Sequence, residues 1–180
     1  ELAELDWISG KRTAGATARG VKENLQLDGA DPRTKELERF VVEALRRHRL
    51  FEMGARPARV SRLLFSRYEP GMTYGAHTDD ALMGRGEDKL RTDLAFTIFL
   101  ADSASYEGGE LVVESALGEQ GVKLEAGDAF LYAAGSIHHV APVTSGVRLA
   151  AVGWIQSFVP DIAQREILFD LSVSRTRLAE

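Results

Sequence analysis

The chain has 180 residues, of which 44% are hydrophobic and 27% are charged, and it carries a net charge of -5. This length suits one globular domain with a single core, so we assign residues 1–180 to one domain, and the acidic balance argues against a nucleic-acid partner. The absence of cysteine excludes disulfides and thiolate metal sites, and no apolar run approaches the roughly 20 residues of a membrane span; we expect a cytoplasmic protein.

The first strong pattern is an amphipathic helix that follows a polar, glycine-rich segment. That segment contains a predicted loop at residues 9–15 and a predicted short strand at residues 26–27. Asp31 and Pro32 then form a typical N-cap followed by proline at the first helical position. Apolar side chains recur at helical spacing after this start, at Leu37, Phe40, Val41, Ala44 and Leu45. We therefore predict a helical support at about residues 31–50.

From Pro57 the pattern changes to short strands separated by turn residues. We predict eight strands, at residues 60–68, 72–78, 94–100, 111–114, 122–124, 129–132, 137–143 and 147–155. The strands at 122–124 and 129–132 have the pattern of a hairpin, and residues 144–146 read as a turn. The run at 94–100 is apolar throughout, which is typical of a strand buried on both faces.

A second helix is predicted after the strands, from Pro160 to about residue 172. Strands at this spacing, flanked by isolated helices, favour a mainly β fold. The simplest architecture is a double-sheet jelly roll with a core at about residues 58–157 and helices supporting one face.

The residues that suggest chemistry begin with His77 and Asp79. They are two apart, so on an extended backbone both side chains leave the same face of the strand. A second histidine, 61 residues after His77 in another predicted strand, can complete a three-ligand set. Two imidazoles and one carboxylate on one face of a metal form the site of a non-haem Fe(II) oxygenase.

Two adjacent histidines, His138 and His139, could supply this third ligand. Either choice puts apolar neighbours beside the ligand, so apolarity alone does not decide between them. Arg148 follows His138 by ten residues, which is room for the strand to end, turn and return beside the metal. This spacing favours His138, with Val140 and Pro142 on the same inward face.

Arg148 has the chemistry to bind an organic acid beside the metal. A guanidinium presents paired donors to a carboxylate, and an arginine inside an apolar wall needs such a partner. Tyr68 could donate its hydroxyl group to the same cosubstrate, and Thr97 could do so with less support. Each feature alone is commonplace, since a His-x-Asp pair often lies on a surface and an arginine often forms a salt bridge. Their joint occurrence in this order predicts an iron- and 2-oxoglutarate-dependent hydroxylase.

At these residues the chain resembles the PKHD-type hydroxylases, relatives of prolyl 4-hydroxylase among the Fe(II)/2-oxoglutarate dioxygenases. The segments that carry the resemblance are Arg67-Tyr68, Thr73 to Asp79, Arg91 to Leu94, Tyr106 to Leu111, Ser136 to Val140, Pro142 to Arg148 and Trp154 to Ser157. The resemblance implies a double-stranded β-helix core, with His77, Asp79 and His138 as iron ligands and Arg148 as the 2-oxoglutarate anchor. It also implies L-ascorbate as an auxiliary reductant. Family members usually extend beyond both ends, so both ends are expected to be cut.

The implied reaction couples oxidative decarboxylation of 2-oxoglutarate by dioxygen to hydroxylation of a C–H bond. No catalytic residue beyond the metal centre is required. The substrate stays open between a peptidyl residue, such as proline, and a small molecule. Two other functions fit the same residues: a non-enzymatic metal-binding sensor, and a cupin-like metalloenzyme that does not use 2-oxoglutarate.

Overall fold

A computed structural model describes residues 5–13, 15, 18–84 and 86–179 of the protein. Within these residues it contains three α-helices: α1 (Pro32–Arg47), α2 (Arg49–Ala55) and α3 (Ile162–Leu178). The strands are β1 (Trp7–Ser9), β2 (Lys22–Glu23), β3 (Leu25–Leu27), β4 (Pro57–Val60), β5 (Leu64–Tyr68), β6 (Thr73–His77), β7 (Leu82–Met83), β8 (Leu90–Arg91), β9 (Leu94–Phe99), β10 (Tyr106–Gly108), β11 (Leu111–Ser115), β12 (Gly118–Val122), β13 (Ala129–Ala133), β14 (His138–Val140), β15 (Val143–Gly146) and β16 (Arg148–Ser157).

Most of these strands form two antiparallel sheets. The larger sheet has the order β1-β3-β5-β16-β9-β13, and β4 pairs with β16 beyond the end of β5. The smaller sheet has the order β12-β11-β14-β6-β2, and two short pairs, β7-β8 and β10-β15, lie outside both sheets. Because consecutive strands often belong to different sheets, residues far apart in sequence come together between the two sheets.

Strand β9 is buried on both faces, as its apolar sequence predicts. Leu94, Phe96 and Ile98 pack in one core cluster with residues of α1 and α2. Ala95 and Phe99 belong to a second cluster with Leu111 and Val113 of β11 and Tyr132 of β13. The first cluster therefore fixes the helices on the larger sheet, while the second holds the two sheets together.

Helix α1 begins where the sequence predicts. The Asp31 side chain accepts a hydrogen bond of 2.8 Å from the Arg33 backbone N–H, and Pro32 opens the helix. Its buried face differs from the prediction, because Phe40 is 71% exposed while Val42 packs on the core. Glu38 explains the rotation: its carboxylate accepts a hydrogen bond from the Leu63 N–H, between β4 and β5, and so faces the sheet.

The predicted hairpin at residues 122–132 is wrong. Strand β12 pairs with β11 of the smaller sheet, whereas β13 pairs with β9 of the larger one. The intervening turn is held at the end of β9, where Gly127 N donates to Phe99 O and Phe99 N donates to Asp128 O. The segment therefore crosses from one sheet to the other.

The region around residues 137–147 also differs from the prediction. Strand β14 ends at Val140, so Pro142 is exposed and does not share the inward face of His138. Residues 144–146, predicted as a turn, belong to β15, which pairs with β10. The predicted strand at 60–68 is likewise two strands, β4 and β5.

Helix α3 is longer than predicted and starts slightly later. Asp161 caps it by accepting from the Gln164 N–H at 2.8 Å, so Pro160 precedes the cap. None of the helices in the described ranges combines the length and apolarity needed to cross a membrane. Ala14, in the predicted loop at 9–15, lies outside the described residues.

Candidate metal centre

The fold brings His77, Asp79 and His138 together at one end of the smaller sheet. His77 is the last residue of β6 and lies directly opposite His138, the first residue of β14, with ring centroids 4.3 Å apart. Asp79 follows β6 and is held by its backbone N–H, which donates to Ala134 O at 3.3 Å. Its Oδ2 lies 3.9 Å from His138 Nε2, and one donor atom from each of the three residues lies within 4.8 Å of the others.

Both imidazoles are oriented by the backbone. His77 Nδ1 lies 2.8 Å from Gly75 O, and His138 Nδ1 lies 3.0 Å from Ser136 O. A carbonyl oxygen only accepts, so each Nδ1 carries the proton and each Nε2 keeps its lone pair. Hydrogen bonds of this kind fix the tautomer and orientation of metal-binding histidines.

The electrostatics of the group also suit a cation. Burial, together with the neighbouring His138, lowers the pKa of His77 to about 4, so its imidazole is neutral at pH 7. Burial raises the pKa of Asp79, and the nearby His138 acts in the opposite direction. Asp79 Oδ2 is buried without a hydrogen-bond partner among the residues that the structure describes. A buried carboxylate oxygen in this position needs a partner, and a divalent metal fits the donor set.

Arg148 and Tyr68 lie on the larger sheet, opposite each other on β16 and β5. Arg148 is 1% exposed, and its guanidinium carbon lies 5.2 Å from the centroid of the Tyr68 ring and 5.6 Å from that of Phe99. Among the described residues it forms no salt bridge, and its Nε has no hydrogen-bond partner. Burial raises the pKa of the Tyr68 hydroxyl, which therefore stays protonated and able to donate. The pair can receive a carboxylate.

Gly109 makes room for this arginine. Its φ of +67° lies in the left-handed region, and a Cβ there would be 3.1 Å from Arg148 Cδ and 2.9 Å from Val143 Cγ2. Any larger residue would press on the arginine stem. A glycine at position 109 thus leaves the space that the buried arginine occupies.

A cavity of about 1310 Å³ between the two sheets connects these residues. His77, Asp79 and His138 line it together with Arg148, Tyr68 and Thr97, so the structure brings every predicted site residue to one space. His139 is absent from the described lining and lies opposite Val112 of β11. Of the two adjacent histidines, His138 is therefore the one that lines the cavity beside His77 and Asp79.

Sequence reasoning missed Lys22, which is 4% exposed in the same cavity. Its Nζ donates to Thr13 Oγ1 at 3.2 Å and lies 4.9 Å from the centroid of the Tyr74 ring. That ring stacks on His77 with centroids 3.8 Å apart. Burial lowers the pKa of Lys22 to about 8, while the Asp79 carboxylate acts to raise it. No local pattern marks Lys22, because β2 is only two residues long.

Two aromatic residues also border the site. Tyr74 stacks on His77, and the indole of Trp154 lines the cavity. Tyr132, which the sequence did not single out, meets the His138 ring edge-on with centroids 5.0 Å apart. Alternation along β13 could have placed it inward.

Comparison with known proteins supports the sequence resemblance. Residues 63–156 match the 2OG-Fe(II) oxygenase superfamily. A PKHD-type hydroxylase of Picosynechococcus sp. is 51% identical over 177 residues, which cover 98% of this chain and 79% of the relative.

Solved structures share the fold. A Trichoplax adhaerens prolyl hydroxylase, in complex with a peptide fragment of the hypoxia inducible factor oxygen degradation domain, matches with a TM-score of 0.57 and 17% identity, covering 95% of this chain and 76% of that one. A Pseudomonas putida prolyl-4-hydroxylase matches with a TM-score of 0.54 and 19% identity, covering 86% and 79%. These likenesses confirm the predicted mainly β, double-stranded β-helix fold with supporting helices.

Proposed function

The chain belongs to the 2OG-Fe(II) oxygenase superfamily, and within it to the PKHD-type hydroxylases, and we propose that His77, Asp79 and His138 hold its iron. The protein is a 2-oxoglutarate-dependent dioxygenase that couples decarboxylation of 2-oxoglutarate to hydroxylation of a substrate. One observation carries the ligand assignment: two backbone-oriented Nε2 atoms and an unpartnered carboxylate oxygen converge in a buried group.

Arg148 is the proposed anchor for the far carboxylate of 2-oxoglutarate. Its charge is fully buried, and no described carboxylate pairs with it, so a bound dicarboxylate would supply the missing partner. Tyr68 would donate its hydroxyl to the same carboxylate from the adjacent strand. Thr97, on β9 at the other side of β16, also lines the cavity and is a weaker candidate for this contact.

The protein's own part in the reaction is to bind, orient and exclude water. Iron, when bound, supplies the oxidising chemistry with dioxygen and 2-oxoglutarate. Gly75 and Ser136 carbonyls hold the imidazoles with Nε2 toward the site, and the Ala134 carbonyl holds the Asp79 backbone. Aromatic side chains, Tyr74 and Tyr132, shield the imidazoles from solvent. No side-chain general base is needed for these roles.

The primary substrate is proposed to be a peptidyl group, such as a prolyl residue, or a small molecule. The peptide in the Trichoplax adhaerens prolyl hydroxylase complex supports the peptidyl choice, and the cavity volume is compatible with either. L-ascorbate stays a prediction as an auxiliary reductant. The two other functions considered from the sequence, a metal sensor and a cupin-like enzyme without 2-oxoglutarate, disagree with the family to which the chain belongs.

The assignment is tested by iron content and succinate formation in two variants. We expect Asp79→Ala to lose both iron and succinate formation, because a ligand is removed. Arg148→Ala should keep iron but require a much higher 2-oxoglutarate concentration, by about tenfold or more, since a charged hydrogen-bonded contact is lost.

Asp170→Ala and Arg175→Ala are matched controls from the exposed surface of α3. They remove the same groups away from the cavity and should behave like the wild type. Normal succinate formation in Asp79→Ala, or an unchanged 2-oxoglutarate requirement in Arg148→Ala, would exclude the assigned roles.

A further inference from the structure

The cavity contains a second buried cation, Lys22, which the proposed binding of iron and 2-oxoglutarate does not use. Lys22 lies on β2, at the edge of the smaller sheet, where it is paired with Tyr74 of β6. Its neighbour Glu23 faces away and pairs with Lys11 at 3.5 Å. Lys22 is therefore the residue of this strand that faces the cavity, on the opposite sheet from Arg148.

Within the part of the chain that the structure describes, the ammonium group of Lys22 is only partly satisfied. It has three N–H donors, and the described contacts are a 3.2 Å hydrogen bond to Thr13 Oγ1 and the face of the Tyr74 ring. No carboxylate among the described residues forms a salt bridge with it. The Thr13 hydroxyl also forms hydrogen bonds with Gln26 Oε1 and Gly10 O, and these bonds fix the position of the oxygen that accepts from Lys22. A buried, positioned ammonium with spare donors is suited to an anionic ligand.

The position of Lys22 associates it with the metal site. The Tyr74 ring contacts both the Lys22 ammonium and the His77 imidazole. Asp79 acts on the pKa of Lys22, and Lys22 acts on the pKa of His77. The two cations come from different sheets, Lys22 from the smaller one and Arg148 from the larger one. A dicarboxylate with one end at the metal and the other at Arg148 leaves Lys22 available.

We infer that Lys22 binds a carboxylate of the primary substrate and so places a neighbouring C–H bond at the metal site. This inference rests on the proposed function, because it assumes that 2-oxoglutarate occupies Arg148. It narrows the substrate to molecules with a carboxylate close to the hydroxylated carbon. Arg12 and Arg19 also line the cavity and come from the same N-terminal segment, which favours approach of an anion there. The lining also includes Asp80, Asp88 and Glu114, so the selectivity lies with Lys22 rather than with overall charge.

The test measures binding rather than turnover. Protein loaded with Mn(II) and 2-oxoglutarate without oxygen is titrated calorimetrically with matched acid and amide pairs. Three arms distinguish the source of the carboxylate: a small acid (N-acetylglycine and its amide), a peptide end (a proline-rich pentapeptide with a free or amidated C-terminus) and an acidic side chain (the same amidated pentapeptide with Glu or Gln).

In at least one arm the acid should bind the wild type about tenfold or more tightly than the amide, since a hydrogen bond to a charged group is lost in the amide. Lys22→Met has similar length without the charge and should bring the ratio close to one. Lys22→Arg should retain part of the preference. Lys35→Met, from the exposed face of α1, should retain all of it.

Three results would overturn the inference: no acid preference in the wild type, a preference that survives Lys22→Met, or a loss of 2-oxoglutarate affinity in Lys22→Met. The last would assign Lys22 to the cosubstrate, and unchanged 2-oxoglutarate affinity shows that the variant is folded. Failure of the proposed function would appear separately, as intact metal binding in Asp79→Ala.

Discussion

At the scale of single residues, His138 and His139 show that two neighbouring residues of the same type can have different environments and therefore different chemistry. His138 is 5% exposed, donates Nδ1–H to Ser136 O and turns Nε2 toward Asp79. His139 lies half-buried on the other face of β14. Alternation along a strand makes these two environments unavoidable. The hydrogen bond to the Ser136 carbonyl then fixes the tautomer and the ring orientation of the buried His138.

This difference makes a direct prediction for metal affinity. Replacing His138 with Asn should weaken binding of Mn(II) by about 100-fold or more, because losing a ligand should exceed the 10- to 100-fold typical of losing an outer contact. Replacing His139 with Asn should leave binding within a few-fold of the wild type. Calorimetric titration of both variants with Mn(II) checks this, and equal losses in the two would refute the choice of His138.

Lys22 makes a second prediction at the residue scale, for the stability of the metal-free protein. Its pKa is lowered to about 8 in the fold, below its ordinary value, so between these values the unfolded chain holds a proton that the folded chain has lost. Stability rises with pH wherever the unfolded state binds more protons. The lysine should therefore make the free energy of unfolding rise from about pH 8 toward pH 10.

Urea denaturation of wild type and Lys22→Met at several pH values measures this effect. The free energy of unfolding of the wild type should increase relative to that of Lys22→Met as the pH rises from about 8 toward 10. Lys35→Met is the control for the loss of one positive charge. If the free energies of unfolding of wild type and Lys22→Met change in parallel with pH, burial does not lower the pKa of Lys22.

At the scale of elements, β16 is the strand on which the larger sheet depends. It pairs with β4 and β5 on one side and with β9 on the other, and it carries Arg148 at its first position. Gly153 lies opposite Phe96 of β9, at a point where the sheet is pressed against the core beneath the helices. A side chain at this position would collide with the side chains of Phe96 and Leu63.

Gly153→Ala should accordingly destabilise the protein. A Cβ at this position would lie 2.6 Å from Phe96 Cζ and 2.7 Å from Leu63 Cδ2, and both side chains are buried. Overpacking of this kind costs about 1–3 kcal/mol. The free energy of unfolding from urea titration measures the cost, with Gly135→Ala as the control, since a Cβ there meets nothing within 4 Å. Equal stability of the two variants would contradict the packing argument.

At the scale of the whole molecule, the site joins the two sheets. The proposed metal ligands come from the smaller sheet and the segment after β6, whereas Arg148 and Tyr68 come from the larger sheet. A metal and a dicarboxylate bound together would therefore link the sheets across the cavity. Ligands that bind only the folded state stabilise it by an amount that grows with the logarithm of their concentration relative to the dissociation constant.

Thermal unfolding with Mn(II) and 2-oxoglutarate tests this linkage. At concentrations near 100 times its dissociation constant, each ligand should add about 2.7 kcal/mol of stability. At the same ligand concentrations, Arg148→Ala should retain the increment from Mn(II) and lose about half or more of the increment from 2-oxoglutarate, each measured against its own ligand-free baseline. An undiminished 2-oxoglutarate increment in this variant would mean that the cosubstrate binds elsewhere.

The sequence by itself determined the start of α1 at Asp31-Pro32, the double burial of β9 and the residue types of the site. These depend on local chemistry: a capping side chain, an apolar run, and a His-x-Asp pair with a later histidine and arginine. The assignment of residues 1–180 to one domain stays a prediction.

Only the tertiary structure decided which strands pair, that residues 144–146 belong to a strand that pairs with β10 rather than to a turn, and that Lys22 is buried beside the site. Strand pairing and burial are set by residues far apart in the chain. The local sequence around β12, β15 or Lys22 therefore does not predict them. The same lysine on an exposed edge would have had the same sequence neighbours, and only the opposing sheet makes it part of the cavity.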